Sequence, residues 1–202
     1  RALRFDMYHL LISAREGIDA GIGAKALSGE WYGGHVFWDM DIYMLPFFIY
    51  TQPERARSLL LYRYRRLDRA RERARRQGYR GALWPWESAF SGEDETPESW
   101  VDPHGNVIPV YTGRREHHIA ADVAYGLIQY YRASRDEEFM LSYGAEMLFE
   151  TARFWASRVQ RDEQIVPWSV EEAQKAGYRH FMLKEIFEQP KVLLRIISQY
   201  ID

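Results

Sequence analysis

Residues 39–78 read DMDIYMLPFFIYTQPERARSLLLYRYRRLDRARERARRQG, and this stretch decides the fold. Its first part, 39–50, is apolar on nearly all sides, which predicts a buried helix that kinks or ends around Pro46. Pro53 is tolerated at a first helical position and opens a second, longer helix. Leu59, Leu60, Tyr62, Tyr64 and Leu67 give that helix its apolar side, and Gln77-Gly78 closes it. Upstream, residues 3–14 place Leu3, Met7, Leu10, Leu11 and Ala14 near one face, which predicts a helix ending near Gly17. Residues 20–34 hold five glycines and read as a loop, with Gly33-Gly34 allowing a close backbone approach. Downstream, residues 80–113 are broken by repeated Gly and Pro and read as one long loop, a length that is functional more often than idle. Amphipathic helices follow over roughly 116–133 and 136–158, with Asp136 as N-cap and Glu138 near the first turn. A polar break at 160–167 precedes a last helical region over roughly 169–200, interrupted near Gly177 and Pro190. No strand and no fixed repeat is visible, and the fold class is all-α.

Composition narrows the function. With 47% hydrophobic and 28% charged residues, the 202-residue chain is globular rather than collagen-like or disordered, and its length suits one domain better than two. A net charge of -2 gives no global electrostatic case for a nucleic-acid partner. The absence of Cys excludes disulfide frameworks, thiolate zinc sites and thiol nucleophiles. No apolar run approaches the ~20 residues of a membrane span, and RALRFDMYHL is not a signal peptide, so no membrane partner and a cytoplasmic location are expected. The chain starts without Met and in the middle of a helical pattern, as a fragment would.

Three groups of residues bear on chemistry. Arg63 to Arg76 contains eight arginines against Asp68 and Glu72; this is either a phosphate-tracking face or a solvated helix face with spaced acids. His35 and Glu116-His117-His118 raise the question of a metal, but their spacing fits no metal motif, and adjacent histidines on a helix point about 100° apart. A polar cluster at a helix N-terminus, or a contact to sugar hydroxyls, suits them better, and no metal is expected. The third group is His35-Val-Phe-Trp-Asp39 together with Trp84-Pro-Trp-Glu-Ser88. Each couples an indole to a carboxylate, which is what a sugar needs: an aromatic face for its C–H side and an acceptor for its hydroxyls. The alternative for each is a buried Trp beside a capping acid.

These residues carry a family resemblance. GAKALSGEWYGGHVFWDMDIYMLPFF, ARSLLLYRYRRLDRARERARRQGYRGALWPWESAFSGEDETP, EHHIAADVAYGLIQYYRASRDEEF and ARFWASRV resemble, in this order over roughly residues 1–160, the catalytic domain of glycoside hydrolase family 65. That family contains maltose, trehalose, kojibiose and nigerose phosphorylases and some hydrolases. The resemblance implies an (α/α)6 barrel with the sugar held among loops at one end. It places Trp38 and Asp39 in the pocket for the non-reducing glucosyl unit, Trp86 and Glu87 in the lining of that pocket, and His118 on the acceptor side. It implies an α-linked glucosyl disaccharide as substrate, and inorganic phosphate as co-substrate in place of a cofactor. The family reaction inverts the anomeric centre: a carboxylic acid protonates the leaving oxygen while phosphate attacks the opposite face, where an inverting hydrolase would use an activated water.

One departure limits what is implied. The family's general-acid Glu sits in a Gly-Pro-Asp-Glu-Tyr-His motif after the ARFWASR helix, where this chain reads RVQRDEQIVPWSVEE. The later phosphate-binding region is also missing. No catalytic residue is therefore assigned; Glu163 lies near the expected place in an unmatched context. Residues 168–190, WSVEEAQKAGYRHFMLKEIFEQP, instead resemble the interdomain segment of glutamine–fructose-6-phosphate aminotransferase. The expected organisation is a partial family 65 domain at 1–160 and a helical tail at 161–202. The leading function is a fragment of an inverting α-glucoside phosphorylase or hydrolase, inactive alone. The rivals are a non-catalytic helical module that binds sugar or only packs, and a fragment of the aminotransferase. An unclosed barrel of helical hairpins would leave apolar faces uncovered and favour self-association. Asp39, Trp38, Trp86 and Glu87 are expected to face one concavity.

Overall fold

The computed structural model describes residues 1–29 and 31–165, the side chains of 162–165 excepted. The tail helix expected over 169–200 and the aminotransferase-like stretch lie outside the described residues. Two compact units are present, Arg1–Arg158 and Val159–Asp202.

The first unit is all-α apart from one small hairpin. Helix α1 (Ala2–Ser13) is followed by the Gly-rich loop and a 3-10 turn, Trp31–Gly34. A π turn, Met40–Met44, then runs into α2 (Leu45–Thr51). The π turn accommodates Pro46: Leu45 donates to the Met40 carbonyl five residues back, and the widened turn makes room for a ring that would otherwise press on the preceding turn. Helix α3 (Pro53–Arg65) packs against α2. Where one helix is expected over 53–77, the chain breaks at Arg66, and α4 (Leu67–Arg76) starts afresh. The break has a long-range cause. The Arg66 guanidinium donates to Asp19 at 2.8 Å and to the Tyr62 carbonyl at 3.1 Å, while Gly92 lies so close to its stem that a Cβ there would meet Cγ at 2.6 Å.

Strands β1 (Ser99–Val101) and β2 (Val107–Pro109) pair antiparallel, with Trp100 opposite Ile108. This corrects the expectation of no strand. Asp102 Oδ1 accepts from the N–H groups of His104 and Asn106, both at 2.8 Å, and so closes the turn that brings the strands together. After α5 (Thr112–Arg115), helix α6 (Ile119–Ser134) packs on α2 and α3. Helix α7 (Glu137–Phe139) leads through a second π turn, Met140–Gly144, into α8 (Ala145–Ile165). Asp136 caps α7 as expected, Oδ1 accepting from Phe139 N–H at 2.9 Å. The polar break expected from residue 160 is absent through Ile165: VQRDEQI holds no Gly or Pro, and the first Pro is Pro167.

The core is built from α2, α3, α4, α6 and α8, with Phe48, Leu59, Leu60, Val123, Leu127 and Phe154 among its buried side chains. Helix α1 buries none of its residues, and Leu3 is 71% exposed. The apolar spacing in 3–14 therefore does not mark a core face here. Arg55 fixes the helix end instead, its Nη1 donating to the Leu11 carbonyl at 2.5 Å. On the stretch 39–50, Tyr43 and Tyr50 also face outward.

Candidate functional site

The two Trp–acid stretches meet through their backbones. Val36 N–H donates to the Ser88 carbonyl at 2.7 Å and Ser88 N–H returns to Val36 at 3.0 Å. This antiparallel bridge lays 35–39 beside 86–88, although about fifty residues separate them. Ser88 is fixed from the other side by Tyr62, whose hydroxyl lies 2.9 Å from Ser88 Oγ. Gly33 and Gly34 have φ of +58° and +73°, and a Cβ on Gly33 would press on the His35 ring at 3.2 Å; the left-handed turn is what lets the chain fold over that imidazole.

The rings gather around His118. Its imidazole stands edge-on to Trp38 at 4.9 Å between centroids and to Trp86 at 5.8 Å. Phe37 meets Trp86 edge-on at 6.1 Å, and Tyr43 meets Trp38 at 5.3 Å. Trp38, Trp86 and His118 are each half-buried. The structure thus brings together three of the five predicted site residues by direct ring contact, and a fourth, Glu87, by backbone.

Glu87 does not stand open as expected of a free sugar acceptor. It is buried, and its Oε1 lies 2.8 Å from His35 Nδ1. A carboxylate can only accept, so Nδ1 carries the proton. Asp39, the fifth predicted residue, is half-buried at the start of the π turn, with no side-chain partner among the described residues. Burial pushes its carboxyl above the usual carboxylate range, opposed only by its own backbone N–H. An unpaired, partly desolvated carboxylate beside an indole is a ready acceptor for hydroxyl donors.

Sequence reasoning missed the supports. Asp41, two residues on from Asp39, is fully buried against Arg63, with contacts of 3.2 Å to Nε and 2.5 Å to Nη2. The same Nη2 donates to the Phe37 carbonyl at 3.0 Å, which fixes the backbone just before Trp38. Burial pushes the Asp41 carboxyl up, and Arg63 pulls against it. Asp122 is the second omission: its Oδ2 lies 2.5 Å from His118 Nδ1, an i,i+4 pair visible in the sequence once His118 is placed at a helix start.

The arginine run matches a solvated face with spaced acids only in part. Arg63, Arg66 and Arg73 are buried, and Arg65, Arg69, Arg71 and Arg76 pair with acids. A cavity of about 670 Å³ does open beside Asp68, Arg71, Arg75, Gly81 and Glu150. None of its described lining residues is aromatic, and Arg71 there is committed to Glu146 and Glu150. Among the described residues, no three His, Asp or Glu side chains group as metal ligands.

Residues 4–173 match the glycosyl hydrolase family 65 central catalytic domain. A kojibiose phosphorylase from Thermoanaerobacter brockii is 55% identical over 161 residues, 79% of this chain and 21% of that protein. An α,α-trehalose phosphorylase from Geobacillus stearothermophilus is 49% identical over 154 residues, 76% of this chain and 19% of its own length. A solved structure described as a putative kojibiose phosphorylase from human microbiome superposes with a TM-score of 0.67 at 30% identity, covering 77% of this chain and 21% of that one. The chain therefore spans about a fifth of the length of these relatives.

Proposed function

This chain belongs to glycosyl hydrolase family 65, and from that premise we propose that its ring cluster holds the non-reducing glucosyl unit of an α-linked glucosyl disaccharide. Trp38 and Trp86 offer the stacking surface, Asp39 accepts from hydroxyls, and His118 faces the acceptor sugar. Glu87 contributes from behind His35. The observation that carries the proposal is the Val36–Ser88 bridge, which sets both indoles against one imidazole. The whole protein's reaction is then an inverting transfer of glucose to inorganic phosphate, or to water in a hydrolase.

This chain alone binds without turnover. The stretch RVQRDEQIVPWSVEE lacks the family's general-acid motif, and general acid assistance is worth roughly 10²–10⁴ in rate. Leu3, Phe5, Leu141 and Phe149 are exposed and favour self-association. No helix among the described residues is long and apolar enough to cross a membrane. The aminotransferase reading rests on 168–190 alone, and the family match reaches residue 173, six residues into that stretch.

The test is a titration of the purified chain with glucose, kojibiose, trehalose and maltose, followed by Trp fluorescence. Incubation with each disaccharide, with and without phosphate, is then assayed for glucose 1-phosphate and glucose. Saturable quenching that is lost in Asp39→Ala, with no product formed, is the expected outcome. Turnover at ordinary enzyme rates would overturn the assignment of no catalytic residue, and Glu163→Gln and Glu87→Gln would then locate the acid.

A further inference from the structure

His118 has two carboxylate neighbours, one at each ring nitrogen. Asp122 Oδ2 is 2.5 Å from Nδ1, and Glu116 Oε2 is 3.7 Å from Nε2. The two contacts differ in kind. The first is a hydrogen bond, and because the carboxylate only accepts, the proton sits on Nδ1. The second is too long for one. With Nδ1 protonated, Nε2 of the neutral ring is itself an acceptor, so Nε2 and Glu116 Oε2 are two acceptors side by side, with no donor from the described residues between them. Both side chains are open to solvent, at 39% and 45% exposure, and the ring beside them stands edge-on to both indoles.

Two open acceptors 3.7 Å apart match the two O–H donors of a vicinal diol, since hydroxyls on adjacent ring carbons are spaced closely enough to donate one to each. A carboxylate or phosphate ligand would be repelled there, and the two indoles beside the ring suit the C–H face of a sugar. We propose that Glu116 and His118 Nε2 together receive two adjacent hydroxyls of a sugar ring, and that Asp122 is the positioning residue that keeps His118 in the accepting tautomer. The inference rests on the sugar-site reading above and assigns Glu116 and Asp122 roles in it. Asp122 comes from the same helix face one turn on, so it holds the ring without touching the sugar. The physical logic is that of a carboxylate fixing a histidine tautomer in a catalytic triad, where the amide replacement leaves the geometry intact but selects the wrong tautomer.

The experiment uses the full chain, with its imidazole nitrogens observed by ¹⁵N NMR, and kojibiose and glucose as probes. Wild type is expected to show His118 protonated at Nδ1, with Nε2 and its neighbours shifting on saturation by kojibiose. Asp122→Asn, whose amide can donate to Nδ1, is expected to move the proton to Nε2 and to weaken sugar binding about tenfold, the size of one lost hydrogen bond. Glu116→Ala should weaken binding similarly and leave the tautomer alone. Asp122→Glu, which restores a carboxylate, should recover the Nδ1 proton and much of the affinity; unchanged unfolding midpoints separate these effects from misfolding. A wild-type His118 protonated at Nε2 overturns the inference. So does Asp122→Asn that reverses the tautomer without weakening binding, and this outcome leaves the sugar-site reading standing. Wild type that binds neither sugar overturns both together.

Discussion

Replacing Arg63 by Leu tests the central support of the site. Arg63 is 1% exposed and Asp41 0%, so neither charge can turn to water. Removing the guanidinium leaves a buried carboxylate with no cation, and breaking such a pair from one side costs about 3–5 kcal/mol. For a chain of this size, that lowers Tm by roughly 6–20 °C. The proton follows. Burial and the nearby Asp122 charge both push the Asp41 carboxyl up, and Arg63 is the principal group that opposes them. Without Arg63, the folded protein binds a proton at Asp41 more tightly than the unfolded chain, whose Asp has a pKa of about 3.9. Stability of the variant relative to wild type should therefore improve as pH falls from 7 toward 5. Asp41→Leu combined with Arg63→Leu removes both charges and should recover most of the loss, because an apolar replacement of a whole buried pair is often neutral. The remaining deficit should come from the Phe37 carbonyl, which loses its donor. Urea unfolding of the three variants at pH 7 and pH 5 measures all of this. A loss below about 1 kcal/mol for Arg63→Leu, or a double variant as weak as the sum of the singles, would refute the reasoning.

Gly81→Ala should lose more than about 2 kcal/mol by urea unfolding, because Gly81 has φ +77° and a Cβ there would lie 2.2 Å from the Glu150 carbonyl oxygen and 2.4 Å from Phe154 N. Asp136→Ala should cost about 1 kcal/mol at pH 7 as a lost N-cap. Burial alone would raise the Asp136 carboxyl, but the Phe139 N–H, the Tyr130 hydroxyl and Arg57 hold it below its ordinary value. Its contribution is therefore complete above pH ~4 and fades as pH falls from the unfolded pKa through the lower folded one, so wild type and variant should converge in acid unfolding curves. Trp38→Ala should abolish sugar quenching in the fluorescence titration and leave the helical circular dichroism unchanged, since the half-buried ring faces His118 and Tyr43.

The helices were legible because their signal is local. Periodicity over 53–76 and 119–134 marks them, and the Asp136 cap needs only residues 136–139. What escaped was set by contacts distant in sequence. Nothing within α3 and α4 announces a break at Arg66; Asp19 and the close approach of Gly92 impose it. Nothing in residues 3–14 distinguishes a core face from the exposed one α1 shows. The hairpin had a signal that the Gly and Pro around it hid: Asp102 with Gly105-Asn106 is turn chemistry between apolar residues. At the site, residue chemistry picked out the stretches 35–39 and 84–88, and the family resemblance singled out Trp38, Asp39, Trp86 and Glu87 within them. It did not reveal that His35 would occupy Glu87, because those residues are 52 apart.

The arginine run explains how both stretches come to lie together. Arg63 in α3, Arg66 at the break and Arg73 in α4 are the buried members of the run. Their guanidiniums reach backbone carbonyls at the borders of the two Trp–acid stretches: Arg63 at Phe37, Arg66 at Ala89 and Arg73 at Trp84. Arg73 also donates to Asp94 at 3.0 Å and to the Gly113 carbonyl, so one side chain ties the start, middle and end of the 80–113 loop. A lysine cannot do this, having one ammonium where guanidinium has a rigid fork of five donors. A long loop carries carbonyls that must find partners when it is drawn against a helix. The sequence that reads as a basic surface is thus in part the internal frame on which the ring cluster is assembled. That is why a helix with mean composition so polar can bury side chains at the centre of the unit, and why its charge says little about phosphate.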